Sequence, residues 1–508
     1  MNVAILHCHL ERGGVTQVIE NHVAALTDRV DRIALVSGPR RSGLSQQTIR
    51  DVESIVVESL EYDAVRRNTQ DPSDLSRFIV DALRAGGFTP DNTLLHWHNH
   101  SLGKNVAQPP AIEHLANAGF RQLLQIHDFA EDFRPENLCA LIVASEATTP
   151  AQLAEYCYPA APNLHYATLS SHDARIIESL GFKPQCVHRL PNSVTLGEDV
   201  PDESEARDKL QAAAGLLPDF RWCLYPVRGI RRKNLGEFCL LSQMLPDNVY
   251  AGVTLPPATD IERRSYERWK HVATRTAPKA IFDAGTFEGV SFRENLAACH
   301  CVLSTSAAEG FGMAFLEPWL ARRAVVARRL PAVVSDFESA GLKLDDFYDE
   351  VPIPAPSKWR ETELERTAIA FRQAWDSVPP WARPTSPMAP EDSDAVDFGK
   401  LTTSGQIEVL TRMGVDDGFA TEVRARNVEL VRSLERPADA PIIEHNRHLI
   451  EQEFSIGSAA RRLLEIYTKV LASSPIEGHR RHAVSSIDLV CAGREFYPCR
   501  TDAVLPNE

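Results

Sequence analysis

Glu309 and Glu317 stand eight positions apart around a Gly310-Phe311-Gly312 turn, in the stretch SAAEGFGMAFLEPWLARRAVVA. A carboxylate accepts two hydrogen bonds from vicinal hydroxyls, the geometry of a ribose or hexose diol, so two carboxylates one loop apart suit two sugars held side by side. The competing reading is that Glu309 caps a helix and Glu317 is solvated. Upstream, YPVRGIRRKN places Arg228 at the end of an apolar run and Lys233 five residues on, with Arg231 and Arg232 between them. Fixed cations there suit a diphosphate leaving group, on which charge develops as its bond breaks, although a solvated basic loop would look the same. In ERGGVTQ, Gly13 and Gly14 would let backbone approach a phosphate or sugar, or simply make a turn. HDFAEDFRP offers His127 at a strand end, with Asp128 and Glu131 as acceptor contacts. In HWHNHSLGKN, His96, His98 and His100 alternate and so share a face on a strand, as His7 and His9 do. No carboxylate or cysteine is placed with these histidines, so no metal is expected. His98 and Asn99 are read as contacts to a polar acceptor, other histidines as packing.

Short apolar runs alternating with helical spacing must position these loops. NVAILH, RIALVS, TLLHWH, RQLLQIH, LHYATLS and QCVHRLPN read as strands, and VTQVIENHVAAL and DLSRFIVDALRAG as helices. Near-continuous apolar strands alternating with helices predict a parallel sheet covered on both faces. The acidic stretch 196–215 has no strand pattern and reads as a linker. The alternation then restarts with RWCLYPV, NVYAGVTL, AIFDA, CVLSTS and RAVVARR as strands. The expected fold class is α/β, with two doubly wound Rossmann-like domains facing a central cleft. The domains are 1–195, then the linker 196–215, then 216–454 with a Pro-rich insertion near 376–397. An amphipathic helix over 455–473 follows, capped by Ser455, and a tail over 474–508 without strong signal. In such sheets ligands bind at the carboxyl ends of the strands, where the loops above fall. DFGK at Asp397–Lys400 has no accompanying kinase motif and reads as chance.

Composition narrows the function. A chain of 508 residues is too long for one hydrophobic core. The net charge of −15 argues against nucleic acid and against electrostatic attachment to an anionic membrane. MNVAILHCHLERGG lacks the basic flank of a signal peptide, and no apolar run is long enough to span a bilayer, so a cytoplasmic protein is expected. The ten cysteines include no C-x-x-C pair and read as reduced, mostly buried thiols. The CHC of Cys299–Cys301 is too tight for a usual zinc pattern.

The Glu309-x7-Glu317 spacing with Arg228 and Lys233 upstream resembles the signature of retaining GT-B glycosyltransferases of the GT4-like group, the glycosyl transferases group 1. Gly13-Gly14 resembles that family's N-terminal glycine loop, LQIHD its strand-end histidine, and LPNSV its hinge segment. The helix over 455–473 resembles the C-terminal helix that packs back toward the N-terminal domain. The Pro-rich part after Leu342 and the last ~35 residues have no counterpart in that pattern. Two positions depart from it: Ser193 stands where glycine is usual, and Pro318 follows Glu317 directly, which would kink or delay the helix.

The resemblance implies a metal-independent retaining hexosyltransferase with a nucleotide-diphosphate sugar as co-substrate and no other cofactor. A UDP-sugar is the first choice, with GDP- or ADP-sugar as alternatives. Arg228 and Lys233 would hold the diphosphate, Glu317 the ribose, and Glu309 the donor sugar, on the Gly310-Phe311-Gly312 turn. Gly13 and Gly14 would contact donor or acceptor, and His127 would lie beside the donor sugar with its carbonyl toward the oxocarbenium charge. The base would be held by backbone near Gly285–Ser291, and the acceptor would be a small soluble molecule or glycan. A sugar phosphorylase or nucleotide-sugar epimerase, and a non-catalytic sugar-binding scaffold, are the alternatives on the same fold.

Overall fold

The computed structural model describes residues 1–196, 200–385, 393–436, 439–472, 485–492 and 494–501. They form two units. The first holds Met1–Ser193, Trp375–Thr385 and Phe454–Arg494; the second holds the remainder.

In the first unit, β1 (Asn2–His7), β2 (Arg32–Ser37), β3 (Glu53–Val56), β4 (Thr93–His98), β5 (Arg121–Ile126), β6 (Leu164–Thr168) and β7 (Val187–Arg189) make one sheet. Their order is β3-β2-β1-β4-β5-β6-β7, every neighbouring pair parallel. β1, β4 and β6 are buried along their whole length, as strands covered on both faces must be. β3 alternates half-buried and exposed residues at the sheet edge, and the sequence reading missed it. The helix Gly14–Leu26 buries Ile19, Val23 and Leu26 against a core that also takes in Ala459, Leu463, Ile466, Tyr467 and Val470 of the helix Ile456–Ala472. That helix begins as expected, the Ser455 hydroxyl accepting from the Ser458 amide at 3.2 Å.

In the second unit, β8 (Arg221–Arg228), β9 (Val249–Leu255), β10 (Ala280–Ile281), β11 (Cys301–Ser304), β12 (Ala324–Arg328) and β13 (Phe347–Tyr348) form a parallel sheet in the order β10-β9-β8-β11-β12-β13. β14 (Pro352–Pro354) and β15 (Ala395–Asp397) pair antiparallel beside it as a separate ribbon. The Asp397 of DFGK works inside this unit. Its carboxylate and that of Glu237 clamp the fully buried Arg328 guanidinium, with contacts of 2.5–2.9 Å. A Cβ on Gly399 would come within 2.7 Å of that guanidinium, which explains the glycine.

Two expectations about organisation differ from the structure. The stretch 196–215, read as a linker, contains the helix Glu203–Ala214, capped by the Asp202 carboxylate and closed by Gly215 in the left-handed region. It buries only Ala206 and Leu210, so its polar composition hid it. The Pro-rich stretch does not simply loop out of the second domain. Trp375 is 1% exposed and packs 6.0 Å from the Phe133 ring, placing 375–385 in the first unit. The rest of the insertion, 386–392, lies outside the described residues, as do 473–484, 493 and 502–508 of the tail. The described part of the tail is anchored. Arg494 pairs with Asp173 at 2.7 Å in the first unit, and Thr501 accepts from Arg231 at 2.9 Å in the second. No helix among the described residues is long and apolar enough to cross a membrane.

Candidate functional site

β8 lies between β9 and β11, so the strand order of the second sheet reverses between β8 and β11. Loops leaving the carboxyl ends of such a pair splay apart and leave room for a ligand. The β8 loop carries Arg228 and a single turn, Arg231–Lys233; the β11 loop carries Glu309. Adjacent strands thus bring together Lys233 and Glu309, 76 residues apart in sequence, as an ion pair. The two loops are stitched to one another. The Thr305 hydroxyl donates to the Lys233 carbonyl at 2.9 Å, the Ala307 amide to the Arg232 carbonyl at 2.8 Å, and the Tyr225 hydroxyl meets Ser306 at 2.8 Å.

Burial sets the electrostatics. Lys233 and Glu309 side chains are each only 9% exposed. Burial alone would raise the Glu309 carboxyl, but Lys233 and then Arg232, 3.5 Å away, outweigh it and hold Glu309 below the usual range. Burial lowers the Lys233 ammonium, and Glu309 offsets part of that. Glu317 has no such partner: among the described residues no hydrogen bond or ion pair reaches its carboxylate, and burial pushes it up to about 7. It is the first residue of the helical turn Glu317–Leu320, with Pro318 second. A proline there loses no hydrogen bond, so Pro318 starts the turn without kinking it.

The other predicted donor residues divide. Gly312 has φ 84°, and a Cβ on it would meet Phe315 at 2.7 Å, so the turn itself demands glycine. The Phe311 ring packs edge-on against Phe337 at 5.4 Å and is 6% exposed, so its side chain faces the core and only its backbone is open to a donor. Arg228 is exposed, donating to the Pro256 carbonyl at 3.2 Å. Arg232, which reaches Glu309, was missed as a site residue; its place in the R-R-K run was the available signal.

In the first unit the order reverses between β1 and β4, and the predicted residues follow the carboxyl ends of β1, β4 and the neighbouring β5. Gly13 caps the helix Gly14–Leu26 in extended backbone, and a Cβ there would meet only the Glu11 carbonyl at 3.9 Å. Its own fold does not require glycine. His98 and His127 share a hydrogen bond at 2.8 Å, while the Asn99 side chain accepts from the His127 amide at 2.7 Å and the Asp128 amide at 3.1 Å. His98 is 1% exposed, which corrects its assignment as an acceptor contact: its imidazole is enclosed behind His127. Glu131 is corrected likewise. It is buried, accepts from Tyr158 at 3.0 and 3.1 Å, and burial raises its carboxyl. Asp128 instead pairs with Arg134 at 2.5 Å.

Among the described residues two clusters could hold a metal: His22, His96 and His98 in the first unit, and Cys223, His300 and Cys301 in the second. His96 already spends both ring nitrogens, on Tyr467 at 2.8 Å and Gln125 at 3.0 Å, which weakens the first. His22, on a helix rather than a strand, was not singled out from the sequence.

Solved structures share this architecture over nearly the whole chain. Anabaena HepE in complex with UDP and glucose aligns with a TM-score of 0.53 and 14% identity over 92% of this chain and 99% of that one. Sucrose-phosphate synthase from Thermosynechococcus elongatus aligns at 0.53 and 13%, over 93% and 100%. WaaG, a glycosyltransferase involved in lipopolysaccharide biosynthesis, aligns at 0.52 and 12%, over 92% and 100%. The chain has the GT-B glycosyltransferase fold. Among curated proteins, mannosylglucosyl-3-phosphoglycerate synthase of Petrotoga mobilis is 24% identical over 491 residues, covering 93% of this GT-B chain and 92% of that protein. No family model matches the sequence.

Proposed function

We propose that this protein is a retaining, GT4-like glycosyltransferase that moves a hexose from a nucleoside-diphosphate sugar to a hydroxyl of a small soluble acceptor. The observation that carries the proposal is the buried Lys233–Glu309 pair at the strand-order reversal of the second sheet, with an unpartnered Glu317 carboxylate on the same loop. Lys233 spends one of three donors on Glu309, and the others are available to a diphosphate. Arg228, exposed at the end of β8, would join it as a second cation. Together they would stabilise the charge that grows on the leaving group, so no divalent metal is needed to hold it. Glu317 would bind the ribose hydroxyls and Glu309 those of the donor sugar.

The C1–oxygen bond to the diphosphate breaks with oxocarbenium character, and the acceptor oxygen attacks from the face the leaving group departs. A phosphate oxygen takes the acceptor proton. In this reading the two carboxylates hold hydroxyls and do not act as an acid/base pair of the glycosidase kind. His98 occupies Nε2 of the His127 imidazole, and the backbone carbonyl of His127 would face the developing charge. HepE, a fold relative, was solved with UDP-glucose, which favours a UDP-sugar as first choice. The Petrotoga relative is named for a product built on phosphoglycerate, which favours a small acidic acceptor. A nucleotide-sugar donor fits a cytoplasmic enzyme.

The test is thermal melting with UDP, GDP, ADP and inorganic phosphate in parallel, without added metal, on wild type and Glu317→Ala. A ligand at ~100 times its Kd adds about 2.7 kcal/mol to the folded state. A shift with one nucleoside diphosphate that Glu317→Ala weakens is the expected result. A shift with phosphate alone would replace the proposal with a phosphorylase, and no shift with any of the four would refute it.

A further inference from the structure

Cys223, His300 and Cys301 converge at the amino end of the second sheet, and we propose that they bind a structural zinc ion. Cys223 and Cys301 are register partners on the parallel pair β8/β11, and their sulfurs stand 3.5 Å apart. His300, just before β11, brings Nε2 to 3.8 Å from Cys223 Sγ and 3.7 Å from Cys301 Sγ. A tetrahedral zinc with bonds of about 2.3 Å to sulfur and about 2.05 Å to nitrogen sets two thiolates about 3.8 Å apart, each about 3.6 Å from the imidazole nitrogen. The observed triangle matches that face of the tetrahedron to within about 0.3 Å. His300 Nε2 donates to the Leu434 carbonyl, in the last turn of the helix Val428–Glu435, at 2.7 Å. Binding breaks that hydrogen bond, because the ion needs the Nε2 lone pair, and a water completes the coordination.

The chemistry selects the ion. Two thiolates and an imidazole favour zinc over magnesium or calcium, which take oxygen ligands. Both cysteines are buried, at 0% and 2% exposure, so a bound charge must be neutralised locally. Two thiolates cancel the charge of a divalent ion; binding releases the two thiol protons to solvent. His300 is only partly buried, giving the ion a way in. The CHC spacing concealed the site. Cys299 turns away to the Leu296 carbonyl at 3.2 Å, and the missing ligand comes from Cys223, 78 residues upstream of Cys301.

Cys223 precedes Arg228 by five residues on β8, about 16 Å along an extended strand. Zinc there clamps β8 and the start of β11, away from the Lys233–Glu309 loops. The proposal does not depend on the enzymatic reading.

The full chain, purified without chelator, should carry about one zinc by elemental mass spectrometry. Cobalt(II) in its place should give thiolate-to-metal charge-transfer absorption. Cys223→Ser/Cys301→Ser should lose both, and His300→Ala should weaken metal retention at least about tenfold. His300→Ala and the wild-type cobalt spectrum decide the matter should the double variant not fold. The proposal is overturned by wild-type protein with neither zinc nor a cobalt charge-transfer band. A Cys223–Cys301 disulfide in non-reduced peptide maps of fresh protein would also overturn it. So would undiminished zinc in the double variant, which would assign the metal to the His22–His96–His98 cluster.

Discussion

Glu317→Gln should stabilise the ligand-free protein and weaken its nucleotide site. Burial moves the Glu317 carboxyl from an ordinary 4.5 to about 7. At about 1.4 kcal/mol per tenfold, the ionised carboxylate costs the folded state about 3 kcal/mol, less whatever its partial exposure to water screens. The folded state holds this proton more tightly than the unfolded chain, so the contribution of Glu317 to stability falls as pH rises from about 4.5 to about 7 and is level above that. Glutamine does not titrate. The variant should match wild type near pH 4.5 and exceed it by about 1–3 kcal/mol near pH 8. Urea denaturation at several pH values, analysed as the difference between the two proteins, isolates this group from every other titration. UDP should bind the variant about 10–100-fold more weakly, because hydrogen bonds from ribose hydroxyls to a charged acceptor contribute about 1.5–3 kcal/mol. A difference that does not vary with pH would refute the burial argument. Unchanged UDP affinity would refute the ribose assignment.

Lys233→Ala removes the closer cation from a buried carboxylate, leaving Glu309 with Arg232 at 3.5 Å. It should cost about 3 kcal/mol in chemical denaturation and lower glycosyl transfer by more than about a hundredfold. Burial pushes His7 and His96 down to about 3 and His127 to about 4, so these stay neutral in the folded protein while the unfolded chain takes up protons. Their contribution is complete above about pH 6.5. It is lost as pH falls, each adding a slope of up to about 1.4 kcal/mol per pH unit; a flat stability profile between about pH 6.5 and 5 would count against the cluster's burial. Trp375→Ala should cost about 3–5 kcal/mol, and hydrogen exchange should locate the loss around Phe133 in the first unit, although residue 375 follows a stretch of the second.

How much could be read in advance follows from where each signal resides. β1, β2 and β4 agree residue for residue with their apolar runs, because strands buried on both faces write themselves as continuous hydrophobic sequence. β3 has only ESIV at an edge, and β13 only two residues, too short for periodicity to register. The helix Glu203–Ala214 carried its cap and its glycine in plain view, but a helix with two buried residues looks like a linker. Lys233 and Glu309 were legible as residues, and their pairing follows once β8 and β11 are neighbours. Glu131 was misplaced for the opposite reason. A loop residue's polarity does not say which way its side chain turns, and here Tyr158 had already taken it. The Cys223–His300–Cys301 triangle escaped because its ligands are close in register and distant in sequence.

The first unit is assembled from three separate stretches of chain, the last of them beginning at Phe454. On a ribosome this sets an order of events. The sheet β1–β7 and the helix Gly14–Leu26 emerge early, but Leu463, Ile466, Tyr467 and Val470, which complete their core, emerge only after nearly all of the second unit. Until then the nascent chain displays that apolar face to its surroundings. A translation product stopping anywhere before the helix Ile456–Ala472 never covers it. Premature stops, even late ones, should therefore give aggregating or degraded chains rather than a working N-terminal fragment.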